Sequence, residues 1–94
     1  MAMLFAFVLP SSGVRASTEE DAVNIYFFWG EGCPHCAAAK PVLEELAASN
    51  AQIYFYDFEV YKHPENVDLF YAFGNAYNIE PKYVPTIFVG DQYW

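Results

Sequence analysis

The chain has 94 residues, enough for one domain, and a domain of that size buries only a modest share of its surface. Its 55% hydrophobic content is that of a globular protein, with a high aromatic share of 20%. Twelve acidic against four basic side chains give a net charge of -8, which repels phosphate backbones and anionic membrane surfaces and argues against nucleic acid as a partner.

Residues 1–16 differ from the rest. Ala2 to Leu9 is an apolar run, Pro10 to Gly13 breaks it, and Val14-Arg15-Ala16 has the small-x-Ala ending of a signal-peptidase site. No Lys or Arg precedes the run, which is too short to span a bilayer as a helix. The segment reads as a shortened signal peptide or an anchor stub, with a misassigned start or a disordered tail as alternatives. Export puts the chain in the periplasm or cell envelope, tethered if the stub is kept, where a disulfide persists. The remaining domain then covers 17–94.

Val23 to Trp29 is β-branched and aromatic with little alternation, which predicts a strand covered on both faces. Gly30-Glu31-Gly32 ends it. Pro34 suits the first turn of a helix, Ala37 to Lys40 extends it, and Pro41 falls inside, where it removes one hydrogen bond and bends the rod. The stripe Val42, Leu43, Leu46, Ala47 carries this helix on to Ser49-Asn50. A second strand is predicted from about Gln52 to Phe58, with Tyr54, Phe55, Tyr56 and Phe58 as core and sheet-face packing. Pro64 suits a second helix start, with His63 exposed before it. Leu69, Phe70, Phe73, Ala76 and Tyr77 then recur at helical spacing despite Gly74. This βαβα order predicts parallel strands joined by a right-handed crossover. Thr86 to Val89 is a third strand, Gly90-Asp91 a turn signal, and Gln92-Tyr93-Trp94 the beginning of a fourth.

The chemistry concentrates in Cys33-Pro34-His35-Cys36, which holds both cysteines of the chain. A C-x-x-C pair at a strand–helix junction sets one sulfur at a helix N-terminus with the other in disulfide reach, which is how thiol–disulfide chemistry is usually built. Exchange proceeds by thiolate attack, so the more exposed sulfur, Cys33, must be anionic near neutral pH. At the N-cap it faces the amides of His35 and Cys36 and the positive end of the helix dipole, and a protonated His35 adds to that stabilisation. A purely structural role is a poor reason for so short a disulfide loop, because it constrains the unfolded chain little. Metal binding through the cysteines with His35 or His63 asks three ligands of one strained segment, and Ala37 excludes c-type haem attachment. The sequence carries no organic cofactor motif.

Five features occur in order: Trp29 in an aromatic strand, Cys33-x-x-Cys36, Pro41 five residues past the second cysteine, a following βα unit, and Val84-Pro85-Thr86 before a strand. In this the chain resembles the thioredoxin superfamily from Val23 to Trp94. The resemblance implies a three-layer α/β thioredoxin-like fold, βαβα followed by antiparallel ββ. It implies protein thiol–disulfide oxidoreductase activity with a redox-active disulfide and no other cofactor. It further implies a cis Pro85 beside the disulfide that keeps metal ions off the thiols, and a Val84 backbone that pairs with an extended substrate segment. Trp29 either touches substrate or serves strand packing. The partners implied are cysteine-containing protein substrates and a membrane or soluble redox partner that recycles the dithiol. The Pro34-His35 pair is similar to that of periplasmic dithiol oxidases of the Dsb type. It also occurs in small domains attached to membrane electron carriers, so direction stays open.

Two departures from the family pattern carry expectations of their own. The family often has a buried Asp or Glu six residues before its first catalytic cysteine, which relays the proton of the resolving thiol. Phe27 stands there, leaving Glu31 or water for the relay and predicting a slow resolving step at Cys36. The family also ends in a full antiparallel strand and a covering helix, so a chain stopping at Trp94 is expected to lack the final helix, as a fragment of a longer protein. A copper or zinc carrier using Cys33 and Cys36, and a non-catalytic remnant, stand as the other readings.

Overall fold

β-Branched and aromatic side chains favour an extended backbone, and the run of them from Val23 to Trp29 forms β1 (Val23–Trp29), a central strand of the sheet. The structure, a computed structural model, describes residues 22–94. The leader read over residues 1–16 and the first residues of the 17–94 domain lie outside the described residues. After β1 come α1 (Pro34–Ala48), β2 (Ile53–Glu59), α2 (Pro64–Ala76), β3 (Thr86–Val89) and the short β4 (Gln92–Tyr93). The strands make one mixed sheet in the order β2-β1-β3-β4. β1 and β2 pair in parallel, from Val23 with Ile53 to Trp29 with Glu59, as a helical connection between neighbouring strands permits. β3 pairs antiparallel with β1, and β4 antiparallel with β3. This is the α/β thioredoxin-like fold.

Strand alternation sorts the side chains onto two faces. On one, Tyr26, Phe28, Phe58 and Phe88 meet Phe70 and Phe73 of α2. Phe28 is fully buried there, its ring centroid 4.8 Å from Phe70, 5.0 Å from Phe58, 5.2 Å from Phe73 and 5.8 Å from Phe88. The first two pairs stack and the last two meet edge-on, the geometries that ring quadrupoles favour. Gly74 fits this packing for a steric reason. A Cβ at that position would overlap the Pro81 ring and come 2.9 Å from the Ile79 carbonyl oxygen. The other face carries Phe27, Trp29 and Asp57 against α1.

Two sequence expectations change in detail. The sheet-facing side of α1 runs through Cys36, Lys40, Leu43 and Ala47, and Val42 and Leu46 stand 65% and 45% exposed. The apolar stripe had merged two neighbouring faces, because adjacent helical residues lie about 100° apart. Tyr54 and Tyr56 are 48% and 43% exposed rather than core. Among the described residues β2 is an edge strand, paired on one side only, although Tyr56 still stacks on Tyr26 at 5.2 Å.

Because Phe28 joins both helix-side strands to α2, Phe28→Ala is expected to lower stability by about 3–5 kcal/mol. A urea titration followed by circular dichroism, with the disulfide kept intact, measures it. A loss below about 1 kcal/mol, the level of a typical point mutant, would contradict this placement.

Candidate active site

β1 runs out at Trp29, and the loop Gly30-Glu31-Gly32 turns the chain into α1. Cys33 N donates to Gly30 O at 3.1 Å, and Gly32 takes a φ of +88°, a left-handed conformation that suits glycine. Cys33 is the N-cap residue of α1 and Pro34 opens the helix, where its missing N–H leaves no bond unmade. The two cysteines form a disulfide with Cα atoms 5.2 Å apart. Cys36 N donates to Cys33 Sγ at 3.1 Å, so a sulfur caps the helix where an oxygen usually does. Of the two amides expected at Cys33, that of Cys36 makes this bond. Cys36 is 1% exposed, Cys33 is half-buried, and His35 lies exposed between them.

The turn before β3 comes up against the same sulfur. The Val84–Pro85 bond is cis, and Cys33 Sγ lies 3.9 Å from the Val84 carbonyl oxygen. Beyond it opens a cleft of about 370 Å³ lined by Pro81, Tyr83, Pro85, Thr86 and Trp94 among others. A second cleft, about 270 Å³, lies on the helix side and is lined by Trp29, Cys33, Cys36, Lys40, Pro41 and Glu44. Lys40 is fixed beside it: its Nζ sits 3.3 Å from Asp57 Oδ2 and 4.3 Å from the Trp29 ring centroid. Trp29 Nε1 donates to the same Asp57 oxygen at 2.9 Å.

Beneath the loop, Glu59 is 8% exposed and accepts four hydrogen bonds. The amide of Glu31 donates at 2.7 Å, those of Lys62 and Tyr61 at 2.8 Å and 3.1 Å, and His63 Nδ1 lies at 2.9 Å. Burial alone would raise the Glu59 carboxyl, but the bonds from His63 and the three amides outweigh it and hold the group at about 2. The Glu59 carboxylate in turn raises His63 above its ordinary value; burial opposes the rise, and the charges of Glu65, Glu59 and Glu31 assist it.

Residues 23–94 match the family model for glutaredoxin. The chain belongs to the glutaredoxin family. Solved structures show the same fold. Glutaredoxin 1 from Francisella tularensis, in a complex with cacodylate, is 22% identical over 77% of this chain and 80% of its own, with a TM-score of 0.52. Thioredoxin from Trypanosoma brucei brucei is 16% identical over 93% and 71%, and oxidised thioredoxin O2 from Arabidopsis thaliana is 18% identical over 88% and 71%, both with a TM-score of 0.53. Among curated proteins no sequence match is found.

In this glutaredoxin-family domain Cys33, Pro34, Cys36, Val84 and Pro85 come together around one disulfide, with Trp29 on its helix side and His35 facing solvent. Glu31, considered above for the relay, has its carboxylate on Lys62 at 3.3 Å, while its amide is anchored on Glu59. Sequence reasoning did not single out Lys40, Asp57 or Glu59. Their signals are a lysine four residues past Cys36, two carboxylates inside an otherwise apolar strand, and a Glu-x-x-x-His spacing across the helix start. His63, expected only as an exposed residue, is exposed and also holds Glu59.

The Glu59 carboxyl lies below its ordinary 4.5, so the stability it contributes is full above 4.5 and is lost as pH falls towards about 2. His63 lies above 6.5, so its contribution is full below 6.5 and is lost as pH rises through the raised value. The thermal midpoint of the wild type is therefore expected to exceed that of His63→Gln most between 4.5 and 6.5 and to converge on it at higher pH. A gap that stays constant on the alkaline side would show that the pair does not act through charge.

Proposed function

We propose that the chain is a protein thiol–disulfide oxidoreductase of the cell envelope, in which Cys33 exchanges disulfides with cysteines of other proteins and Cys36 resolves the mixed disulfide. The observation that carries this reading is the asymmetry of the two sulfurs. Cys33 is accessible and receives a backbone amide at 3.1 Å at the head of α1, whereas Cys36 is buried behind it. An amide and a helix dipole stabilise a thiolate at Cys33 and nowhere else in the pair.

As a disulfide donor, the protein is attacked by a client thiolate at Cys33 Sγ. The bond to Cys36 breaks, and Cys36 leaves as a thiolate and takes a proton. A second client thiolate then attacks the client sulfur of the mixed disulfide and releases Cys33. Two electrons have passed from the client dithiol to Cys33 and Cys36, and a membrane or soluble partner removes them to restore the disulfide. The reverse sequence reduces a client. Stabilising the Cys33 thiolate favours the dithiol, which makes the disulfide a stronger oxidant. His35, when protonated, adds to the same effect. Pro34 sets the first turn that places Cys33 at the cap.

An extended client segment whose backbone pairs with Val84 would pass beside Cys33 Sγ, because the Val84 carbonyl lies 3.9 Å from that sulfur, and the cleft beyond Pro85 adjoins this turn. Trp29, whose ring carries Lys40 and whose N–H is held by Asp57, serves the disulfide from the inner side. The envelope location rests on the small-x-Ala leader, since export would bring the chain to surroundings where a disulfide persists. Among the described residues no helix is long and apolar enough to cross a membrane. A copper or zinc carrier would need further ligands beside the two sulfurs, and among the described residues no three His, Cys, Asp or Glu side chains are grouped to hold a metal.

Cys36→Ser is expected to accumulate a mixed disulfide when offered a disulfide-bonded client peptide, its Cys33 thiolate attacking one peptide sulfur and releasing the other as a thiol, and Cys33→Ser to form none; non-reducing mass spectrometry distinguishes them. In graded glutathione buffers with alkylation of free thiols, the wild-type dithiol is expected to prevail already under mildly oxidising conditions. A disulfide surviving into strongly reducing buffer would assign the protein to the reductants.

A further inference from the structure

We propose that Lys40 is a positioning residue for the resolving sulfur: its ammonium, locked by Asp57 and Trp29 in the cleft beside the disulfide, favours the Cys36 thiolate, and that cleft is where the thiol proton passes to water. This rests on the redox reading above.

Burial disfavours an anion, and Cys36 is 1% exposed. The helix N-terminus gives it no relief, because the amide of Cys36 is already directed to Cys33 Sγ. β1 offers none either, since Phe27 is fully buried and apolar. Lys40 lies four residues past Cys36, hence one turn further on the same side of α1, and lines the same cleft as both sulfurs. Its position is fixed by Asp57 Oδ2 at 3.3 Å and by the Trp29 ring at 4.3 Å, with Trp29 Nε1 holding Asp57 in turn. At about 270 Å³ the cleft has room for several waters. The charged groups facing it are Lys40 and the exposed Glu44 from α1 and, through the ion pair, Asp57 from β2. On this face β1 carries Ile25, Phe27 and Trp29, none of them charged.

The test follows single turnover of the reduced protein with a stoichiometric amount of dithiodipyridine across a pH series. In the first step the Cys33 thiolate attacks the reagent, a Cys33–thiopyridine disulfide forms, and one thiopyridone leaves. In the second, the Cys36 thiolate attacks Cys33 Sγ, the protein disulfide forms, and a second thiopyridone leaves. The two electrons end on the two thiopyridones, and the two thiol protons pass to solvent and ring nitrogen. Lys40→Met is expected to raise the midpoint of the pH–rate profile of the second step by about one unit and to slow it about tenfold at neutral pH. Lys40→Arg is expected to stay near the wild type. Lys40→Met with Asp57→Asn is expected to remain raised, since the cation is still missing.

The first release, together with circular dichroism, reports folding and the redox reading. Its absence in the wild type would overturn that reading. A second-step profile in Lys40→Met that coincides with the wild type, or one that returns to it in the double variant, would overturn the role of Lys40 while leaving the redox reading intact.

Discussion

A carboxylate nearly cut off from water is unfavourable unless other donors replace its hydration, and Glu59 is placed where four of them converge. Two of these, the amides of Tyr61 and Lys62, belong to the chain just beyond β2, so the side chain that ends the strand also folds the segment after it. His63, the N-cap residue of α2, is the third, and Asn66 in the first turn donates to the Glu59 carbonyl oxygen at 2.9 Å. The fourth comes from the loop that delivers Cys33. The parallel register makes this possible, because pairing Trp29 with Glu59 brings β1 and β2 to an end at the same level. Val60 N donates to Trp29 O at 2.8 Å and seals the junction. The end of β2, the start of α2 and the approach to the disulfide are therefore one hydrogen-bonded unit.

The sheet divides the remaining work between its two sides. On the α2 side the rings of Phe28, Phe70, Phe73 and Phe88 interlock with no charged partner, which suits a small domain that must draw much of its stability from a few large side chains. The α1 side is different. There α1 buries only Cys36, and the contact between helix and sheet includes an ion pair and a cation over a ring. That open, partly polar contact is what the proposed passage of the Cys36 proton to water requires. The side that carries the disulfide is thus the one whose contacts include charged groups.

How far the sequence discloses this depends on the range of the interaction. β1 and β3 are legible to the residue, because continuous apolar runs bounded by Gly and Pro leave a strand few alternatives. The disulfide is legible for the same local reason, as both sulfurs lie within one helical turn. Val42 and Leu46 mislead because composition marks them as apolar without showing which neighbour their side of α1 meets. Tyr54 and Tyr56 mislead because a strand's own residues do not reveal whether it sits at the centre or at the edge of a sheet. Lys40 with Asp57, and Glu31 with Glu59, join residues 17 and 28 positions apart, and only the parallel register brings them together. No local pattern in the chain contains that register.

The same geometry limits how the two sulfurs can share their surroundings. A helix N-terminus has few free amides, and the one bonded to a sulfur here comes from Cys36 and points at Cys33. Whatever stabilises the Cys33 thiolate by this route is therefore withheld from Cys36, which adds burial to the disadvantage. In the proposed reaction, opening at Cys33 is favoured and closure from Cys36 is disfavoured, unless a charge outside the helix terminus acts on the buried sulfur. Phe27 removes β1 as the source of that charge. The next element in register is β2, where Asp57 stands opposite Phe27, and its carboxylate reaches the region only through the cation of α1 that it binds. In the proposed role of Lys40, the charge that faces the buried sulfur comes from α1 and its partner on β2 rather than from the central strand, and it is positive where the family often places an acid.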